Sequence, residues 1–276
     1  MSAPAATPGA APLPDMIQPS LPSTLVFCAI VGGVVAAVLS AIWVATARAS
    51  DVAAARRATL ASGLGIAALL LLSAGLAESG VLRRAAGGPA LILYVGACNG
   101  IAALAALSRL GRRVAIGLPL WAIVGFQAFR LPLELVLHAW YEQGVIPIQM
   151  TYMGHNFDIV TGALALLVAP LVGWLDRPDR RATRRAEAMD RAAHGLLWFF
   201  TLTGTLLLLE VGSIAVRSSP VPFRSYLNEP VLLLAYHAPY TWIVPVCVAG
   251  ALFGHIIAFR RLFAWSTPSE GAGARS

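Results

Sequence analysis

An all-α integral membrane bundle of about seven transmembrane helices is the fold class this sequence predicts, and three observations predict it. Hydrophobic residues fill 58% of the 276 positions and charged residues only 12%, against roughly 45–50% and about 25% in soluble globular chains. The mean hydropathy is +0.74. Apolar stretches of the roughly 20 residues needed to cross a bilayer recur along the chain, with Arg clustered in the gaps between them. Charge this sparse cannot coat a water-soluble fold, so the missing polar surface faces the lipid bilayer.

Seven stretches qualify as spans: Leu25–Ala47, Thr59–Ala77, Gly88–Ser108, Val114–His138, Phe157–Leu175, Gly195–Val216 and Val231–Phe259. They make residues 24–265 a single seven-span membrane domain. Residues 1–23, rich in Ala, Pro and Ser, hold one charge, Asp15, and read as a disordered tail. Residues 266–276 read as a second tail. No basic segment precedes the first apolar run, which therefore reads as a retained span and not as a standard signal peptide. The last stretch contains Pro239 and Pro245 and predicts a kinked or partly re-entrant start. Broken backbone is tolerated at membrane depth only where protein or a water-filled cavity satisfies it.

The gaps set the orientation. One set holds Arg48, Arg56 and Arg57, then Arg109, Arg112 and Arg113, then six Arg between Arg177 and Arg191, then Arg260, Arg261 and Arg275. The opposite set holds Arg83, Arg84, Arg217 and Arg224. Fifteen against four places the first set in the cytoplasm. An odd number of spans then puts the N-terminal tail outside and the C-terminus inside. This distribution also explains the net charge of +7 without nucleic acid, because the basic residues form no patch with interleaved aromatics. The Arg-dense segment Asp176–Arg191 reads as a solvated cytoplasmic loop. Anionic lipid is its natural partner, at about 1 kcal/mol per Arg near the surface. The three cysteines, Cys28, Cys98 and Cys247, lie in apolar spans without a CxxC spacing and read as buried thiols. No internal repeat is visible, so the inverted-repeat logic of many transporters finds no support.

Ionisable residues inside a span cost roughly 2.5–3.5 kcal/mol at its centre, so they mark where chemistry or special packing resides. The fourth span carries Gln127, Arg130, Glu134 and His138, which fall within roughly 80° of one another at helical periodicity. Pro132 within the stripe frees the carbonyl of Ala128. Two readings stand side by side: an ion pair that pins this helix to its neighbours, and the wall of a ligand, ion or proton site. Arg130 precedes Glu134, the weaker order for an i,i+4 pair, which favours partners on other helices. Asp158 is the first choice for Arg130, and Arg224 for Glu134. By the predicted orientation the other costly polar residues gather at one depth in the extracytoplasmic half: His155, Asn156, Asp158 and Thr161, then Glu210 and Ser213, then Arg224, Asn228 and Glu229, then Tyr236, His237 and Tyr240. His255 stands apart and reads as a satisfied interfacial residue. The connection Ala139–Gly154, with Trp140, Tyr141 and Tyr152, suits the interfacial aromatic belt and reads as a lid over the outer mouth.

The segments Gln149-Met-Thr151, Gly154-His-Asn156-Phe-Asp158-Ile-Val-Thr-Gly162 and Pro222-Phe-Arg224 through Asn228-Glu-Pro230 resemble a family of bacterial polytopic membrane proteins of unassigned function. With Phe129-Arg-Leu-Pro-Leu-Glu134 the resemblance covers roughly residues 126–262. It implies a multi-pass protein of the bacterial inner (plasma) membrane and brings no activity or cofactor with it. The residues themselves support a protein that binds or transports a small molecule or ion from the extracytoplasmic side. Candidate ligand-binding residues are Gln127, Arg130, Glu134, Asn156, Asp158, Glu210, Arg224, Asn228 and Glu229, with Arg130 holding an anionic group. One alternative is a membrane-embedded metal-dependent hydrolase. Glu134-x-x-x-His138 would place two ligands on adjacent turns, with His155, Asp158 and His237 completing a zinc sphere. Another is a haem protein with His138, His155 or His237 as axial ligand, and a further one is an accessory subunit with no chemistry of its own.

Overall fold

In hydrocarbon a backbone N–H finds no partner but a carbonyl of the protein itself, so long apolar segments become helix almost without interruption. The computed structural model describes residues 13–84, 89–175 and 186–265. Residues 1–12 and 266–276, and most of the Arg-dense segment Asp176–Arg191, lie outside the described residues. Helix α1 (Leu21–Ala49) turns at Asp51 into α2 (Val52–Glu78), where the Asp51 side chain accepts from the Ala54 N–H at 2.5 Å and caps α2. A single turn, α3 (Val81–Arg84), precedes α4 (Ala90–Leu107). A short helix, α5 (Arg109–Gly117), follows. Leu118 is extended (φ −94°, ψ 146°), the conformation that a following proline imposes. The fourth span therefore starts at Leu120, after Pro119, and not at Val114 as expected. It comprises α6 (Leu120–Gly125), a 3₁₀ turn over Phe126–Phe129 and α7 (Arg130–Glu142). Then come α8 (Ile159–Leu175) and α9 (Ala186–Ser218). The last span is built from a tight 3₁₀ turn over Tyr240–Ile243 and a wider π-helical turn over Val244–Val248 that lead into α10 (Ala249–Trp265).

Six of these runs are long and apolar enough to cross a membrane: Leu21–Ala49, Val52–Glu78, Ala90–Leu107, Leu120–Glu142, Ala188–Ser218 and Tyr240–Ala264. The chain is thus a multi-pass membrane protein. The remaining apolar helix, α8, has 17 residues. Among the described residues there is no strand.

Helix α1 packs on α2, α5 and α7; α8 packs on α6, α7 and α9; α10 packs on α4, α5 and α9. Leu120–Glu142 and Tyr240–Ala264 are half buried within the bundle, against 11–28% for the other long spans. These two central spans carry Gln127, Arg130, Glu134 and His255, so the polar side chains turn toward protein and away from lipid. Two apolar cores result. One gathers Phe27, Leu133, Leu137, Trp140, Ile214 and Tyr240, and the other gathers Ile123, Val124, Val168, Leu197, Phe200 and Ile257. Gln127 and Arg130 fall between the two along the fourth span, and Glu134 follows at the edge of the first.

The expected arginines collect at one end of the bundle, where they bond exposed carbonyls of helix ends. Arg48 donates to Gly117 O at 2.7 Å, Arg260 to Ser108 O at 2.8 Å and Arg261 to Ile116 O at 3.3 Å. At the other end the connections after α7 and after α9 fold into the bundle, burying Ile146 and Met150 in the one and residues 231–234 in the other. Gly162 of α8 lies against the Leu131 backbone so closely that no side chain fits there, and Gly173 faces Trp121. Helix α8 therefore runs antiparallel to α6 and α7 and begins level with Leu131. That level is 11 residues before α7 ends, or about 16 Å at 1.5 Å per residue. Residues 143–158 must descend that far, which is why Val145, Ile146, Gln149, Met150, Thr151 and Asn156 are all buried. The same descent explains the shortness of α8.

Two expectations change here. The segment Ala139–Gly154 is core, not a lid. Trp140 is fully buried, packs against Phe27 at a tilt and against Tyr240 edge-on with ring centroids 5.3 Å apart in each pair, and donates to Ser23 Oγ at 3.0 Å. The N-terminal tail is also structured from Leu13 onward. Met16 is buried, and the Ser20 N–H donates to Gln143 Oε1 at 2.7 Å. Trp140→Ala should lower stability by roughly 3–5 kcal/mol, seen as a large fall in melting temperature in detergent. Met153→Ala, at an exposed site in the same connection, should melt like the parent. Equal melting of all three proteins would restore the lid.

Candidate functional site

Arg130, the first residue of α7, is 1% exposed and sits near the middle of its span, where water cannot answer its charge. Its Nε donates to Asp158 Oδ2 at 2.6 Å, and one Nη bonds Asp158 Oδ1, so the pair is bidentate. The other Nη donates to Gly204 O at 3.3 Å and to His255 Nε2 at 3.0 Å. Arginine has no acceptor, so His255 accepts at Nε2 and carries its proton on Nδ1, an atom without a hydrogen-bond partner. Gly204 is required at this point, since a Cβ there would meet His255 Cε1 at 2.5 Å and Thr161 Cγ2 at 2.8 Å.

Glu134 lies one turn along α7 and is also 1% exposed. Its partner is Asn156, whose Nδ2 donates to Glu134 Oε1 and Oε2 at 2.9 and 2.8 Å and to Met150 O at 3.1 Å. The opposite end of the same amide, Asn156 Oδ1, accepts from the Asp158 N–H at 3.0 Å, the local turn that Asn favours. One asparagine thus fixes both carboxylates. Among the described residues no cation forms an ion pair with Glu134. Gln127 donates to Ala251 O at 2.9 Å and leaves its Oε1 unpartnered.

Beside this layer is a cavity of about 110 Å³ between α4, α7, α9 and the stretch from Leu232 to Ala251. Arg130, Glu134, Asp158 and Ser219 supply its polar side chains, with the thiol of Cys247; the remaining walls are apolar, among them Leu133, Leu137, Val211 and Leu232.

The other predicted residues divide. Arg224 does not reach Glu134. It donates to Tyr226 O and Asn228 O, both at 2.8 Å, and lies 3.6 Å from Glu229. Asn228 donates to Gln149 Oε1 at 2.8 Å, and Gln149 donates to Ser218 Oγ at 3.0 Å. Glu229 accepts from the Val231 N–H at 3.0 Å. These residues knit the loop after α9 to the descending connection and stand outside the Arg130 layer. Glu210 is exposed on the outer face of α9, beside Leu206 and Leu209, which are exposed too. The layer itself is near half-height in its spans, not in one half as expected: Arg130 is the eleventh of the 23 residues in Leu120–Glu142.

The three histidines proposed as metal ligands do not meet. His138 pairs with Glu142 at 3.6 Å and stacks on Tyr152, His155 is exposed beside Tyr226, and the Nε2 of His237 is unpartnered. Among the described residues no three His, Cys, Asp or Glu side chains are placed to share a metal ion. The anion-holding role of Arg130 is corrected as well, because four of its five N–H groups are already directed to Asp158, Gly204 and His255. His255, read as interfacial, is 1% exposed and belongs to the layer. Its signal was present, a lone His amid apolar neighbours with no partner on its own helix. Gly204 gave none. Compared with protein-family models, with curated proteins and with solved structures, the chain matches none.

Proposed function

We propose that this is a seven-span protein of a bacterial inner membrane, with its N-terminus outside and its C-terminus in the cytoplasm, that binds a small molecule or ion at the Arg130–Asp158–Glu134 layer. Either transport or small-molecule binding is served by such a site. The observation that carries the reading is the cavity whose apolar walls converge on three buried ionisable side chains. Ionisable groups kept at mid-span at a cost of roughly 2.5–3.5 kcal/mol each are characteristic of ligand and ion pathways. A mostly apolar cleft with a few convergent polar groups is the common form of a small-molecule site. Helix α8, with 17 residues, starts level with Leu131, so the buried connection over residues 143–158 makes the first half of this crossing and α8 completes it. Counting it as the seventh gives the orientation in which the Arg-rich end is cytoplasmic. The resemblance of residues 126–262 to bacterial multi-pass proteins supports the same setting, and anionic lipid at Asp176–Arg191 accords with it.

Orientation is tested by labelling Ser225→Cys, an exposed loop position, in a chain lacking Cys28, Cys98 and Cys247. It should react with an impermeant maleimide in intact cells, and an enzyme reporter fused after Ser276 should work in the cytoplasm. Labelling only after lysis would invert the topology. Binding is tested by the melting temperature of the purified protein with amino acids, amines, alcohols, carboxylates and inorganic salts. At least one class should raise it, and Arg130→Met/Asp158→Leu should lose that rise. A parent protein indifferent to every compound would remove the binding reading.

A further inference from the structure

We infer that the site in the cavity takes a cation, specifically a small aliphatic ammonium group held by the Glu134 carboxylate; this rests on the reading of the cavity as a binding site. Three observations combine. First, the donors of Arg130 are committed to Asp158, Gly204 and His255, so the guanidinium recognises its own protein and has little left for an anion. Second, Glu134 is the open acceptor. An ionised carboxylate has about four lone-pair positions, and Glu134 receives one amide nitrogen, Asn156 Nδ2. Third, the charge does not balance. Arg130 neutralises Asp158, which leaves Glu134 as the uncompensated carboxylate of the layer, and an isolated buried charge is strongly disfavoured. A proton or a bound cation restores neutrality.

The walls select among cations. A metal ion without its water prefers six or more oxygen ligands if it is the size of calcium, and Leu133, Leu137, Val211 and Leu232 offer none. An alkylammonium ion needs less. Its N–H groups meet the carboxylate while its methylenes lie on the apolar wall. A volume of about 110 Å³ fits a body of a few carbons and is well below the 300–1,000 Å³ of drug-sized sites.

The experiment compares n-butylammonium chloride, 1-butanol, sodium butyrate and sodium chloride at matched ionic strength, reading the melting temperature of the full chain in detergent. Butylammonium should raise it by several degrees over sodium chloride, while butanol and butyrate should not. Glu134→Gln, which keeps an acceptor for Asn156, should lose the shift. Should that variant not fold, Val211→Phe, which fills the cavity from a half-buried wall position, should lose it instead. A shift with butanol or butyrate and none with butylammonium would overturn the ammonium assignment and leave the binding site standing. Equal shifts with sodium chloride and butylammonium would assign bare charge and overturn the alkyl part. Silence from these probes, together with silence across the wider compound classes, would remove both.

Discussion

The bidentate contact between Arg130 and Asp158 is the constraint around which the rest of the bundle is arranged. A guanidinium at half-height in a membrane protein must be met by a carboxylate of the protein, and Asp158 comes from a different part of the chain. To bring it there, the connection after α7 leaves the end of the bundle and descends beside the helix it has just left. Asp158 arrives at the depth of Arg130, and α8 can start only from that point. The length of α8, the burial of Gln149 through Asn156 and the glycine contact at Gly162 all follow from this one placement. On the far side of Arg130, α9 must come close enough for its Gly204 carbonyl to accept, which only a residue without a Cβ permits beside His255.

The two carboxylates are chemically unequal although they share Asn156. Asp158 is consumed by its ion pair with Arg130 and a hydrogen bond from the Thr161 hydroxyl at 3.4 Å; Glu134 receives only an amide. A buried ion pair of this kind contributes little net stability, because the desolvation of both charges offsets most of their attraction. What it contributes is position. With Arg130 held from three sides, Glu134 one turn away is aimed at the cavity by a helix that cannot rotate. The apolar cores above and below the layer exclude water from it, so each remaining polar contact acts in a medium of low dielectric.

Much of the fold was legible in the sequence because the bilayer imposes simple rules on length and charge. Six spans follow from apolar length, and the arginines of the gaps do meet at one end, bonding helix-end carbonyls through Arg48, Arg260 and Arg261. The partner of Arg130 was also legible: the weak order of Arg130 before Glu134 on one helix pointed to partners on other helices, with Asp158 as the first choice. What the sequence hid was depth itself. Trp140 and Tyr152 carry the composition of a lid, yet the chain turns inward there because Asp158 must reach mid-span, a tertiary demand that local composition does not encode. Arg224 looked like the cation for Glu134, but its reach is taken up by the carbonyls of its own loop. His255 was legible in principle, as a polar residue needing a partner on another helix, and was misassigned because its place toward the end of its span suggested an interfacial residue.

The claim that Arg130 and Asp158 form one unit is tested most directly by a double-mutant cycle on thermal stability in detergent, using Arg130→Met, Asp158→Leu and the combined protein. Each single change strands a buried charge and should cost roughly 3–5 kcal/mol, while the double change, replacing the pair with apolar side chains, should recover most of that loss. Losses that simply add in the double variant would contradict the account, because two independent residues add where a pair does not.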